Sequence, residues 1–254
     1  MVDILVLIAA GLASGALNAI AGGGTFISFP ALIFVGVPPV SANATATLCA
    51  LPGYLSSAWG FRRDLRAEGA LTLGQILVTS GFGSIIGALL LLVTTGEVFL
   101  AIVPWLLLLA TILFATGPWL LNSLQGRGIG AAGRVTSVAA VFLVSVYGGY
   151  FNGGLGIMLL AAFGLIGFTS LHAMNGLKSA IAALLSVIAS AAFIMADVIA
   201  WEHALALGVS SAIGGYLGAA YSRKIRRADL LRLAISGVGL GMSIAFFMMN
   251  ASQS

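Results

Sequence analysis

From Ile4 onward the chain is a succession of long apolar runs in which polar and apolar residues do not alternate. This pattern constrains the fold more than any motif in the sequence. Backbone polar groups in lipid must pair within the chain, so apolar runs without alternation read as helices. Ten such runs can be drawn, at 4–21, 23–36, 41–60, 70–93, 98–121, 134–151, 154–168, 173–196, 201–221 and 229–249. A membrane span needs about 20 residues. Runs three, four, five, eight, nine and ten are long enough, whereas runs one, two, six and seven are short and glycine joins each pair.

Composition decides whether lipid is the solvent. Only 7% of the 254 residues are charged and 60% are hydrophobic, against about 25% charged residues in soluble domains. No polar stretch is long enough to fold outside a bilayer, so one membrane domain is expected over 1–254. The net charge of +4 does not point to nucleic acid, because the basic residues sit in short connectors, where they report topology. The lone Cys49 excludes a disulfide framework or thiolate metal site within one chain. "ALNA" resembles a signal-peptidase site, but the basic segment that should precede it is missing and Asp3 is acidic, so no signal peptide is expected.

A shift of 131 residues superposes the chain on itself without a gap. Gly22 and Gly23 fall on Gly153 and Gly154, Gly36 on Gly167, Ser80 on Ser211, and "GSIIGA" from Gly83 on "GGYLGA" from Gly214. The constant register divides the chain into five segments per half. Repeat one covers about 3–121, a connector about 122–133, and repeat two about 134–252. Equivalent connectors differ in charge. Arg62, Arg63 and Arg66 follow segment three, while Asp197, Glu202 and His203 follow segment eight. Segment four is followed by Glu97, and segment nine by Arg223, Lys224, Arg226 and Arg227. Basic connectors stay cytoplasmic, so the repeats are expected to be inverted, with Arg127 and Arg134 also inside and both termini outside. The short pairs either cross twice or dip in and return; the parity is the same.

Inverted repeats with short, glycine-interrupted segments at matching positions point to a transporter binding site. The first interruption is Gly22, Gly23 and Gly24; the second is Gly153, Gly154 and Gly156. Free N–H groups at a helix start and the helix macrodipole both favour negative charge, so each break is a candidate anion cradle. Close helix packing is the other reading of these glycines, and it is the preferred one for Gly83, Gly87, Gly214 and Gly218. Polar residues gather beside the breaks: Asn18 and Thr25 at the first, Asn152 at the second. Asn43, Thr45 and Thr47 open segment three, and Asn175, Lys178 and Ser179 open segment eight. For the Asn and Thr residues, interhelical hydrogen bonding competes with ligand binding. Lys178 stands out, since a lysine at a helix centre costs about 2.5–3.5 kcal/mol on insertion scales. It either snorkels to the interface or pairs with an anionic substrate.

At these residues the chain resembles the sulfite exporter TauE/SafE family of membrane permeases, also called the 4-toluene sulfonate uptake permease family. The pieces that carry the resemblance are "GALNAIAGGGTFISFPALIFVGVPPVSANATAT", "GFRRD" after segment three, and "GLGI…AMNGLKS" in the second half. The resemblance implies a multi-pass permease of a bacterial-type inner membrane for sulfite, sulfonate or sulfoacetate-like anions. The family holds importers and exporters. Ala161 stands where Pro30 stands in the first half, a departure from symmetry between the two hairpins.

The expected protein is therefore a secondary carrier, with a small anion held near the midplane and one repeat moving against the other; an anion channel or facilitator is the nearest alternative, and a non-transporting membrane subunit a more distant one. H+ or Na+ could couple transport. His172 could titrate near neutral pH, but a helix-end polar role is the simpler reading. No H-E-x-x-H motif, acid pair or nucleophile–base pair suggests an enzyme, and no cofactor is expected.

Overall fold

The computed structural model describes residues 2–20, 23–126, 133–222 and 228–251. Ten α-helices are formed in them: α1 (Val2–Ile20), α2 (Thr25–Phe34), α3 (Pro39–Gly60), α4 (Leu73–Val93), α5 (Gly96–Gly126), α6 (Arg134–Tyr150), α7 (Leu155–Leu165), α8 (Leu171–Met195), α9 (Trp201–Ser222) and α10 (Ala228–Ala251). Each of the ten apolar runs holds one helix. Arg127, Arg223, Lys224, Arg226 and Arg227 lie outside the described residues, as does the side chain of His172.

Local chemistry sets the boundaries. Pro39 occupies the first turn of α3, where its missing N–H costs nothing. Thr72 and Gln75 form a reciprocal capping box at the start of α4, and the Ser170 hydroxyl accepts from the Ala173 N–H at the start of α8. The two short helices end in the same way. Gly36 (φ 88°) and Gly167 (φ 99°) are both left-handed. The next residue then bonds back at 3.0 Å in each, Val37 N–H to Leu32 O and Phe168 N–H to Phe163 O. All three pairs of positions are 131 residues apart.

Helices α4, α5 and α8 contain segments long and apolar enough to cross a membrane: Leu73–Val93, Gly96–Leu113 and Ala173–Met195. These are the segments found among the described residues, and the side chains of α10 are described only over Ser236–Met248. Helix α3 has the length, at 22 residues, but carries Asn43, Thr45, Thr47, Ser56 and Ser57. The distribution of side chains is that of a protein in lipid. Phe82, Leu89, Trp105, Leu205 and Val209 face outward, while Asn18, Asn43, Ser84, Ser145 and Asn152 are buried.

Packing is exchange-symmetric between the halves. Helix α1 packs on α9 as α6 packs on α4; α3 meets α9 as α8 meets α4; α3 meets α8, and α5 meets α10. Glycine seams close two of these contacts. Gly11 and Gly15 of α1 press on Leu207, Ser210 and Ser211 of α9, and Gly214 and Gly218 of α9 press on Leu12 and Ala16. Gly83 and Gly87 of α4 press on Phe142, Ser145 and Val146 of α6, and Gly149 on Ser84. The small residues at 83, 87, 214 and 218 thus let backbones touch, the role preferred for them from sequence.

Helices α3 and α8 run antiparallel. Near the start of α3 the Thr45 Oγ1 accepts from Ala200 N–H, just past the end of α8, at 3.0 Å. Past the end of α3, Glu68 Oε2 accepts from Thr169 N–H at 2.9 Å and Ser170 N–H at 3.0 Å, at the start of α8. Arg62, Arg63, Arg66 and Arg134 lie at this second end, where α4, α6 and α8 begin; a shallow groove joins Arg134 to Gly74 and Gln75. Asp3, Glu97, Asp197, Glu202 and His203 lie at the other, where α1, α3, α5 and α9 begin.

Two apolar clusters flank the interior. One gathers Phe29, Phe99, Phe151 and Phe246, with the Phe29 ring 5.8 Å from Phe151 and 5.7 Å from Phe246. The other joins Tyr54, Leu155, Phe163, Phe168 and Met174. The glycine breaks lie between them.

Candidate functional site

The first break follows α1. Asn18 stands near the end of that helix and its Oδ1 accepts from the Gly24 N–H at 2.7 Å. Gly24 has ordinary helical angles, φ −60° and ψ −30°. It is needed for space: a Cβ there would collide with the Ser14 carbonyl and lie 2.7 Å from Asn18 Cγ. The Gly23 carbonyl accepts from Phe26 N–H at 3.1 Å and the Gly24 carbonyl from Ile27 N–H at 2.9 Å, starting α2. Gly22 lies outside the described residues.

The second break is built differently. Asn152 (φ 58°) and Gly154 (φ 69°) are both left-handed, so the chain turns between α6 and α7 on two unusual residues. Asparagine is among the few non-glycine residues that enter this region readily. The Gly153 N–H donates to the Phe151 carbonyl at 2.8 Å, and the Gly153 carbonyl accepts from the Tyr147 hydroxyl. Gly156 is buried in the first turn of α7.

The fold brings the two breaks together. A Cβ on Gly154 would meet Ala110 Cβ at 2.8 Å and the Phe26 ring at 3.5 Å. Tyr54, in the middle of α3, lies between the breaks. Its hydroxyl donates to Asn152 Oδ1 at 3.4 Å and interacts with the Thr25 side chain at the start of α2. Asn152 Nδ2 continues the chain to Ser186 Oγ at 3.2 Å. Asn18 is adjacent, since a Cβ at Gly53 would touch the Asn18 side chain at 3.6 Å. Asn18 Nδ2 is buried with no hydrogen-bond partner among the described residues.

The segment openings are placed elsewhere. Thr45 takes the Ala200 N–H. Asn43 Nδ2 donates to the Tyr150 carbonyl at 2.8 Å, and Thr47 Oγ1 donates to the Asn43 carbonyl at 2.9 Å. On α8, Lys178 Nζ donates to Asn175 Oδ1 at 3.1 Å, and Ser179 Oγ to the Asn175 carbonyl at 2.9 Å. Lys178 is half-buried. It sits two turns from Ser186, about 12 Å along the axis at 1.5 Å per residue, towards the arginine-bearing end. Asn175, Ser179, Ser186 and Ser190 share one face of α8, a polar track from Lys178 to the meeting of the breaks. Tyr54 and Ser186 were not singled out from sequence. The spacing Asn175, Ser179, Ser186 carried a signal for the second; nothing in the spacing marked Tyr54.

The chemistry of this cluster is that of hydrogen-bonding amides and hydroxyls in an apolar surround, with a cation on the track that leads to it. Among the described residues the ion pair is Arg66–Glu68, at 3.3 Å in the connector after α3, so it does not involve Lys178.

Residues 7–246 match the family model described as sulfite exporter TauE/SafE. Over 251 residues the chain is 28% identical to a probable membrane transporter protein, ORF9, of a Sinorhizobium species, covering 94% of this chain and 90% of that one. It is 31% identical to a probable membrane transporter protein of Haemophilus influenzae, covering 86% and 85%. It is 28% identical to the probable membrane transporter protein YfcA of Escherichia coli K12, covering 81% and 74%. No solved structure matches the chain. With apolar helices, glycine-seamed packing and a family match over nearly its whole length, this membrane protein belongs to the sulfite exporter TauE/SafE family of transporters.

Proposed function

We propose that the protein is a secondary carrier for small sulfur oxyanions of the sulfite, sulfonate or sulfoacetate type, with the anion held where the two glycine breaks meet. The observation that carries this reading is the convergence of both breaks on Tyr54 beside the unpartnered Asn18 Nδ2. A buried donor without an acceptor is costly, and an oxyanion would supply the acceptor. Thr25, Asn152 and Ser186 complete the lining. Lys178 and the track along α8 form the approach from the arginine-bearing end.

The halves are read as inverted repeats. The antiparallel α3–α8 pair, the exchange-symmetric packing and the matched glycine turns at Gly36 and Gly167 support this. Helices α2 and α7 are about 15 Å and 17 Å long at 1.5 Å per residue, half the thickness of a hydrocarbon core. The pair α1–α2 begins and ends at one end of the molecule and α6–α7 at the other, which supports re-entrant hairpins. Basic ends stay in the cytoplasm, so the arginine-bearing end faces inward in a bacterial-type inner membrane, with both termini outside. An anion moving alone gains about 2.3 kcal/mol per 100 mV on leaving a cell negative inside; export needs no coupling ion, whereas import does.

The test is a thermal-shift screen of the purified protein with sulfite, taurine, isethionate, sulfoacetate and thiosulfate, and chloride as control. A selective rise in Tm for one oxyanion is expected. Lys178→Ala should fold normally and reduce oxyanion flux in proteoliposomes about tenfold or more, the effect of about 1.4 kcal/mol or more. No selective shift, or flux in Lys178→Ala equal to wild type, would count against the reading or remove Lys178 from it.

A further inference from the structure

Two buried asparagines each carry one satisfied and one unsatisfied atom, and the unsatisfied atoms are opposite in sign. Asn18 uses Oδ1 on the Gly24 N–H and leaves a donor, Nδ2. Asn43 uses Nδ2 on the Tyr150 carbonyl and leaves an acceptor, Oδ1. Asn43 is fully buried, with 0% of its surface exposed. Its orientation is fixed by that bond, because the flipped amide would set oxygen against the Tyr150 carbonyl oxygen.

The groups bonded to Asn43 are oxygen-bearing and uncharged. Tyr150 is the last residue of α6, so its carbonyl belongs to the negative end of that helix. Thr47 is one turn along α3, buried, and donates its own proton to the Asn43 carbonyl, which leaves its oxygen lone pairs free. None of these groups is a carboxylate. Divalent cations bind chiefly through carboxylates, whereas a helix C-terminus in a broken segment suits Na+.

We propose that Asn43 Oδ1, with Thr47 Oγ1 and the carbonyl end of α6, binds a monovalent cation, for which sodium is the probe. Asn43 thus serves a cation beside the second break and Asn18 the anion beside the first. Such a site would supply the coupling ion that uptake of an anion requires.

The full chain in detergent, without any oxyanion, is titrated with NaCl against choline chloride at constant ionic strength, and its Tm is followed. A saturating rise of several degrees with Na+ alone is expected by linkage. Asn43→Leu should lose that rise. Asn43→Asp places carboxylate oxygens against the Tyr150 carbonyl and should make Tm depend more steeply on Na+. A parallel KCl titration that matches NaCl supports the site and broadens its ion. Coincident Na+ and choline traces in wild type overturn the proposal, as does a Na+ rise that persists in Asn43→Leu. Should Asn43→Leu not fold, Asn43→Asp decides: a slope no steeper than wild type overturns it, water then being the partner of Oδ1. Since no oxyanion is present, failure here leaves the anion reading untouched.

Discussion

The two halves agree where their short helices end and differ where those helices begin. Gly36 and Gly167 make the same left-handed turn with the same 3.0 Å bond behind it. At the breaks, the first half relies on a glycine with no room for a side chain and an asparagine that caps it. The second half relies on two left-handed residues and an asparagine wired to Tyr54 and Ser186. A turn that only returns the chain to the next helix keeps its form. The tips that meet in the interior have diverged in how they hold their backbone and in which polar atoms they leave free.

The largest effect expected from this contrast is at Gly24. Gly24→Leu would drive a side chain into the Ser14 carbonyl, which cannot retreat without separating α1 from α2. A loss above about 4 kcal/mol is expected, read as failure to yield folded, monodisperse protein. Expression and Tm like wild type would break the account of the first break as sterically closed.

The two asparagines sharpen it further. Asn152→Ala gives up a left-handed position, costing about 1–2 kcal/mol, and two hydrogen bonds, each about 1 kcal/mol. A total of about 3–4 kcal/mol is expected. Asn18→Ala loses one bond and also removes the unpaired donor, so about 1 kcal/mol is expected. Thermal denaturation of both variants should rank them in that order, and the reverse order would mean the second break is not held by Asn152.

The smallest effect concerns how each half secures the start of a helix in the other. Thr45 does this with a neutral hydroxyl, Glu68 with a carboxylate. The Ser170 N–H holds the Glu68 carboxyl below its ordinary value, helped by the Thr169 N–H and the Arg66 guanidinium. The lowered value means that the clasp stabilises fully above the unfolded carboxyl pKa, about 4.3, and is lost as pH falls through the folded value. Between pH 6 and pH 3, Tm should fall more in wild type than in Glu68→Gln. Parallel curves would show that the clasp contributes nothing measurable.

Much of this architecture was legible in the residues. Ten apolar runs became ten helices, because runs of this length in lipid have few alternatives. The glycines at 83, 87, 214 and 218 read as contact points and are contact points. Less legible was which way each polar side chain turns. Thr45 and Asn43 look alike as polar residues opening α3, yet one secures Ala200 and the other Tyr150. The rotation of a helix about its axis decides this, and packing partners far along the chain set that rotation. Tyr54 illustrates the same limit: an aromatic residue in an apolar helix gives no hint that its hydroxyl will join two breaks.

The glycine seams have a consequence for how the protein is made. Helix α1 closes against α9 and α4 against α6, so α1 must wait for α9, about 180 residues further along the chain, before its small-residue face is covered. Until then Gly11, Leu12, Gly15 and Ala16 have no settled surroundings. The amino-terminal half synthesised alone is therefore expected to stay an open assembly of helices, completed only when the second half is inserted beside it.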